Sequence, residues 1–165
     1  MIKWDNMTVE STEISKRSHY VRKLDIATKK FREGYNCAQS VLYSNCDDLH
    51  LDKNMALRLA CGFGAGMGGK EEVCGTVSGG ILVIGFRHGR GDKDDRSVTE
   101  TTYAKTRKLI EQFQQRHGTF ICRQLLNGCD FTTAEGRKYF MENDLRNKVC
   151  ITCIESMMAI LEEIE

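Results

Sequence analysis

Apolar side chains return every three or four positions along most of this chain and almost nowhere alternate with polar ones. In "SHYVRKLDIATKKFREG", Tyr20, Leu24, Ala27 and Phe31 make one stripe with lysines and arginines between them, and Gly34 supplies a stop. The spacing predicts an amphipathic helix from Ser18 whose basic side is a solvated face. Asn36 stands as the N-cap of a second helix carrying Ala38, Val41 and Leu42, and Asp52 caps a third whose stripe is Met55, Leu59 and Phe63. A fourth covers roughly residues 72–87. A long helix starts at Ser97 or Thr99 and runs through His117, with Tyr103, Ile110 and Phe113 inward. Short helices follow in "TFICRQLLNGC" and after Thr132 or Thr133, and "NKVCITCIESMMAILEEIE" closes the chain. Ile81 to Phe86 is the one strand candidate, and its flanks continue as helix.

Composition sharpens this picture. The 165 residues contain no proline, where average usage would give about eight, so little but glycine interrupts helices. The expected fold is therefore all-α, a single bundle of about six or seven helices with a glycine-rich turn before the central fourth one. Residues 1–17 lack a clear period and read as a loose or partly helical N-terminal arm, leaving 18–165 as one helical domain. A domain of this length buries about two thirds of its unfolded surface without needing disulfides. The net charge of +1 gives no global field for nucleic acid or an anionic membrane. No apolar run approaches the roughly 20 residues that span a bilayer, and the first thirty residues hold no apolar signal core. The expectations are no nucleic acid, no membrane and a cytoplasmic setting. A homodimer is compatible with the chain, though no sequence feature establishes one.

Eight cysteines, at 37, 46, 61, 74, 122, 129, 150 and 153, change the question from fold to chemistry. In a reducing compartment so many thiols point to metal, cluster or redox use. Cys37, Cys74 and Cys122 each fall near a predicted helix start, where free amides and the helix dipole favour thiolate. Cys150 and Cys153 share one face of the closing helix and admit either metal binding or disulfide exchange. "GAGMGG" at 64–69 satisfies the dinucleotide-binding glycine pattern, but a helix precedes it and no βαβ unit surrounds it. A hinge that brings backbone close to a buried group accounts for it better. The histidines form no metal-binding spacing.

In order, "GYNCAQSVL", "GFGAGMGGKEEVCGTVSGGILVIGF", "CRQLL" and a late cysteine before the terminal helix resemble the C_GCAxxG_C_C family of redox-active proteins, over about residues 20–165. That resemblance implies redox activity, a bound iron–sulfur cluster and four cysteines, which here match Cys37, Cys74, Cys122 and Cys150. The family's C-G-A-x-x-G motif is met at Cys74, Gly75 and Gly79, with Thr76 in place of alanine adding a hydroxyl near the centre. Cys46, Cys61, Cys129 and Cys153 fall outside the pattern, and Cys153 shares a helix face with Cys150, so either of that pair could serve as the fourth ligand. Four thiolates are the usual ligand set of such clusters, which makes an electron-transfer protein with a redox partner the leading expectation. A metal-free thiol–disulfide oxidoreductase using Cys150 with Cys153, or a structural zinc module, are the alternatives. From the residues alone, Gly75 and Gly79 offer a smooth helix edge for close packing, and Ile81 to Phe86 is expected to wall the site.

Overall fold

Capping chemistry and small-residue contacts set the architecture. The structure, a computed structural model, describes residues 5–164, with side chains described from Ile14 onward. Ten α-helical segments occur among them: α1 Asp5–Arg32, α2 Cys37–Ser44, α3 Cys46–Leu49, α4 Lys53–Ala60, α5 Gly64–Met67, α6 Gly75–His88, α7 Ser97–His117, α8 Cys122–Leu125, α9 Ala134–Glu142 and α10 Thr152–Glu163. A 3-10 turn, Cys61–Phe63, follows α4, and a π-helical segment, Arg146–Ile151, leads into α10. The described residues form no strand; Val73 and Ile121 make an isolated antiparallel bridge. The all-α expectation holds. The helix count exceeds six or seven because α3, α5 and α8 are separate four-residue turns.

Asn36 caps α2 by a reciprocal box: its Oδ1 accepts from the Gln39 amide at 2.9 Å and its own amide donates to Gln39 Oε1 at 3.0 Å. Asp52 caps α4 through the Met55 amide and Thr133 caps α9 through the Gly136 amide, both at anticipated positions. Helix α1 begins thirteen residues before Ser18, over most of the stretch assigned to a loose or partly helical arm, and Ile14 to His19 on it are exposed. Residues 1–4 lie outside the described ones.

α6 runs through the bundle against α2, α7 and α10. The core holds Val41 and Leu42 from α2, Val77, Val83 and Ile84 from α6, Leu109 and Phe113 from α7, and Ile154, Met157, Met158 and Leu161 from α10. The last four repeat at helical spacing, so one stripe of α10 is buried throughout. Tyr20, Leu24, Ala27 and Phe31 face this core as anticipated. Two further stripes do so only in part, through Phe63 in one and Ile110 and Phe113 in the other. Met55 and Leu59 are both exposed, and α4 instead seats Ala56 and Ala60 against the core. Small side chains let the α4 backbone approach α2, which turns the larger residues outward. Tyr103 is likewise exposed, and Leu109 takes the inward place.

α2 and α6 pack closely enough that glycine is needed between them. A Cβ on Gly79 would stand 2.9 Å from the Ala38 carbonyl oxygen and 3.0 Å from Val41 Cβ; one on Gly75 would stand 2.9 Å from the Phe63 carbonyl oxygen. The glycine-rich stretch before α6 is more wound than a simple turn. Gly64–Met67 forms a single turn with left-handed Ala65 and Gly66 inside it, and Met67, Gly68 and Gly69 also have positive φ. A Cβ on Gly66 would meet the Glu71 backbone at 2.6 Å, so the chain can fold back there only with glycine.

Two glycines of α6 separate packing from propensity. Gly79→Val is expected to lower stability by about 1 to 3 kcal/mol through overpacking, read by urea unfolding. Gly85, where an added Cβ would meet nothing within 4 Å, is the contrast: Gly85→Ala gains up to about 1 kcal/mol of helix propensity. Equal effects at both sites would remove the α2–α6 contact as the determinant.

Candidate functional site

Five of the eight cysteines line one cavity of about 250 Å³: Cys37, Cys74, Cys122, Cys150 and Cys153. Four separate stretches of chain deliver them. Cys37 is the first residue of α2, held by the Asn36 cap, whose Nδ2 also donates to the Cys61 carbonyl at 2.9 Å. Cys74 immediately precedes α6, and Gly75 leaves room for Cys37 Cβ, which would lie 3.4 Å from a side chain there. Cys122 opens α8 beside Cys74 because their backbones are laced together. The Cys74 amide donates to the Phe120 carbonyl at 2.9 Å, the Cys122 amide to Glu72 at 2.7 Å and the Arg123 amide to Glu71 at 3.0 Å. Cys150 sits in the π-helical segment and Cys153 in the first turn of α10.

The cavity lies where two hydrophobic clusters meet. The main core is one; the other is built on Cys122, Leu126, Cys129 and Leu145 with Phe131 and Phe140, and Val149 and Cys150 pack against both. Phe31, Tyr35, Phe131 and Phe140 supply apolar wall, and Arg146 is the cavity's cation. Its guanidinium lies 4.7 Å from the Phe31 ring centroid and donates to the Phe31 carbonyl, tying the π-helical segment to α1. Nearby, wholly buried Glu71 forms an ion pair with Arg123 Nη2 at 2.7 Å and accepts a hydrogen bond from the Phe131 amide. This carboxylate fastens the glycine-rich turn to the segment carrying Cys122.

Within the cavity the thiols influence one another most strongly in two pairs, Cys74 with Cys153 and Cys37 with Cys150. Pairing with Cys153, opposed by burial and reinforced by the amide and hydroxyl of Thr76 and the amide of Val77, brings the Cys74 thiol down to about 7. Its partner Cys153 is pushed up by that same pairing and by burial, and Cys150 by Cys37 and burial. Cys122 is raised chiefly by burial. One thiolate with protonated neighbours is the result expected of a crowded group of thiols, since a second negative charge alongside is costly. Among the described residues, no three His, Cys, Asp or Glu side chains gather closely enough to hold a single metal ion.

The four cysteines matched by resemblance therefore share one cavity, and Cys153, placed outside the pattern, shares it with them. The C-x-x-C spacing carried the signal for Cys153. The structure pairs each member of that motif with a cysteine on another helix instead of with the other. Cys46 and Cys129 are buried away from the cavity and Cys61 is exposed. Ile81 to Phe86 does not wall the site: α6 rises about 1.5 Å per residue and carries this tail away, with Val83 and Ile84 in the core and Phe86 exposed. Arg146, Glu71 and the aromatic wall carried no motif in the sequence.

An all-helical protein with a thiol-lined cavity is the class these features define. The chain belongs to the C_GCAxxG_C_C family, whose description reads "Putative redox-active protein (C_GCAxxG_C_C)" and whose profile matches residues 35–164. It is similar to an uncharacterized protein of Archaeoglobus fulgidus, 26% identical over 117 residues, which cover 67% of this chain and 78% of that one. No solved structure matches it. No helix among the described residues is long and apolar enough to cross a membrane.

The depressed Cys74 thiol makes a pH prediction. In reduced, metal-free protein, thiolate absorbance should rise in a step near pH 7 and the step should vanish in Cys74→Ser, while Cys46, pushed up by burial to about 11, titrates far later. Because the folded-state value lies below the unfolded one, the stabilisation is complete above the ordinary thiol range and disappears as pH falls through about 7. A first step near pH 9 would refute the assignment.

Proposed function

We propose that this protein is a redox protein in which Cys37, Cys74, Cys122 and Cys150 hold an iron–sulfur cluster that carries electrons to or from a protein partner. The observation that supports the reading is the convergence of five thiols, from four distant stretches, on one cavity. Thiolate sulfur is the ligand type that such clusters take. The cavity's 250 Å³ is several times the roughly 30 Å³ share of one water, room for a polynuclear centre. The spread of the donors, with no three about one point among the described residues, disfavours the structural zinc alternative, which needs four sulfurs about 2.3 Å from a single ion.

When bound, the cluster would supply one-electron chemistry. The chain's own residues do the rest. Cys37 and Cys74 stand at the N-terminal ends of α2 and α6, where the helix dipole favours negative charge. The Arg146 guanidinium contributes a compensating positive charge, and the aromatic wall limits water, which together bear on the potential. Cytoplasmic residence belongs to this same reading.

The pairing of Cys74 with Cys153 and of Cys37 with Cys150 favours a second reading, metal-free thiol–disulfide exchange. There the Cys74 thiolate attacks a substrate disulfide, releases one thiol and forms a mixed disulfide. The Cys153 thiolate then displaces the second substrate thiol and leaves a Cys74–Cys153 disulfide, two electrons having passed to the substrate.

Anaerobic purification with iron and sulfide analysis separates the two. Under the cluster reading, serine at Cys37, Cys74, Cys122 or Cys150 should abolish or strongly diminish bound iron, an alcohol being a poor partner for a soft site. Cys61→Ser should leave it intact with a stability change within about 0.5 kcal/mol, and Cys46→Ser with a packing loss of about 1 to 3 kcal/mol. A colourless, iron-free protein after anaerobic reconstitution, which cycles reversibly and shows a Cys74–Cys153 disulfide by peptide mapping, would replace the cluster with the exchange reading.

A further inference from the structure

Helix α4 is apolar on two sides. Ala56 and Ala60 are fully buried against the core, while Met55 and Leu59, one turn apart on the other side, are each 54% exposed. The apolar surface continues past the helix. The 3-10 turn is exposed at Cys61 and Gly62, and a Cβ on Gly68 would stand 3.9 Å from the Gly62 carbonyl oxygen. That approach brings Met67, 42% exposed, alongside the turn. Single apolar side chains in water are ordinary, but a group of large ones bordered by polar residues marks an interaction surface. Methionine, with its flexible and polarizable thioether, suits such surfaces.

Charge indicates the kind of partner. From Lys53 to Lys70 the chain carries Lys53, Arg58 and Lys70 and no aspartate or glutamate, in a sequence that otherwise nearly balances 24 basic against 23 acidic residues. Lys53 is paired with Asp47 at 2.9 Å. Arg58 and Lys70 are exposed and make no ion pair or side-chain hydrogen bond among the described residues. Arg58 precedes Leu59 on α4, and the Lys70 amide donates to the Met67 carbonyl at 3.3 Å, so each cation borders the apolar group. The surface also adjoins the thiol cavity. Ala65 of α5 belongs to the cavity lining, and Met67 of the same turn is on the outside.

We propose that Met55, Leu59 and Met67, flanked by Arg58 and Lys70, form the docking face for an acidic electron-carrier protein whose own apolar contact is ringed by carboxylates. This rests on the reading that the cavity exchanges electrons with a protein partner, and it names the chemistry of that partner. Opposite charge speeds encounter and fixes orientation, and the apolar centre excludes water once the two are joined. The carrier then sits against α5, which lines the thiol cavity through Ala65.

The test uses the anaerobically purified full chain and, as probe, a plant-type [2Fe–2S] ferredoxin, a small acidic one-electron carrier. Calorimetry at low and at physiological salt measures binding. Stopped-flow mixing measures reduction by the reduced ferredoxin and, separately, by the methyl viologen radical, which needs no docking face. Two double variants, Arg58→Gln with Lys70→Gln and Met55→Gln with Leu59→Gln, should each weaken binding about tenfold. Both should slow reduction by ferredoxin and leave reduction by methyl viologen unchanged. Salt should weaken binding of the unaltered protein more than that of the charge variant. Arg107→Gln with Lys108→Gln, which removes the same charge from exposed positions of α7, should change none of these values. Should the glutamine pair at 55 and 59 not fold, Leu59→Ala alone takes its place. Absence of binding, or equal weakening by the α7 variant, would overturn the proposal. So would self-association in sedimentation that the Met55 and Leu59 variant abolishes, which assigns the face to a second copy. If ferredoxin binds at this face and neither reductant reduces the protein, it is the redox reading of the cavity that fails, and the docking face stands.

Discussion

The approach of α2 to α6 across Gly75 and Gly79 is the contact on which the rest of the structure depends. Two bare edges let the Ala38 backbone sit where side chains would otherwise hold the helices apart. The consequence is positional: the first residue of α2 and the residue preceding α6, both cysteines, come to the same end of the bundle with their helix N-termini beside each other. Van der Waals contact at this range is lost quickly with separation. A small displacement at Gly79 would therefore be felt at the sulfurs, a short way along a stiff helix.

The second constraint is polar. Backbone pairing between residues 71–74 and 120–123 fixes Cys122 against Cys74, and buried Glu71 fastens that pairing to Arg123 and Phe131. Ala65, Met67 and Glu71 hold left-handed conformations in the stretch leading to Cys74, a cost that non-glycine residues bear only where surrounding contacts determine the backbone. Strain collects beside the cavity and is scarce in the α7 and α10 core, which is the distribution expected when geometry at a site outranks local preference.

Much of the fold was legible in the chain because its signals are local. The Asn36 and Asp52 caps, the Tyr20–Phe31 stripe and the all-helical class follow from spacing within a few turns. Met55, Leu59 and Tyr103 misled because periodicity shows that a stripe exists but not which side meets the core; Ala56 and Ala60 decide it by permitting closer approach. At the site, Cys37, Cys74, Cys122 and Cys150 could be selected by resemblance, and the cavity gathers all four. Cys153 was visible as half of a C-x-x-C, but its pairing across helices depends on α6 and α10 lying side by side, which no local pattern encodes. Arg146 and Glu71 were hidden for a related reason: as single charges in a chain rich in charge, only tertiary placement distinguishes them.

The five sulfurs come from positions 37 through 153, so the cavity is among the most non-local features the chain makes. Closing loops of such length carries an entropic cost that is recovered only when distant contacts form. During synthesis, α1 and α2 can pack as soon as they emerge, whereas two of the five thiols and the Arg146 clasp arrive more than a hundred residues later. A chain that stops before the π-helical segment holds Cys37, Cys74 and Cys122 but lacks Arg146, Cys150 and Cys153 of the cavity lining. The full set of five sulfurs therefore exists only once Cys150 and Cys153 have been made, and the finished site is a property of nearly the whole chain and of no earlier part of it.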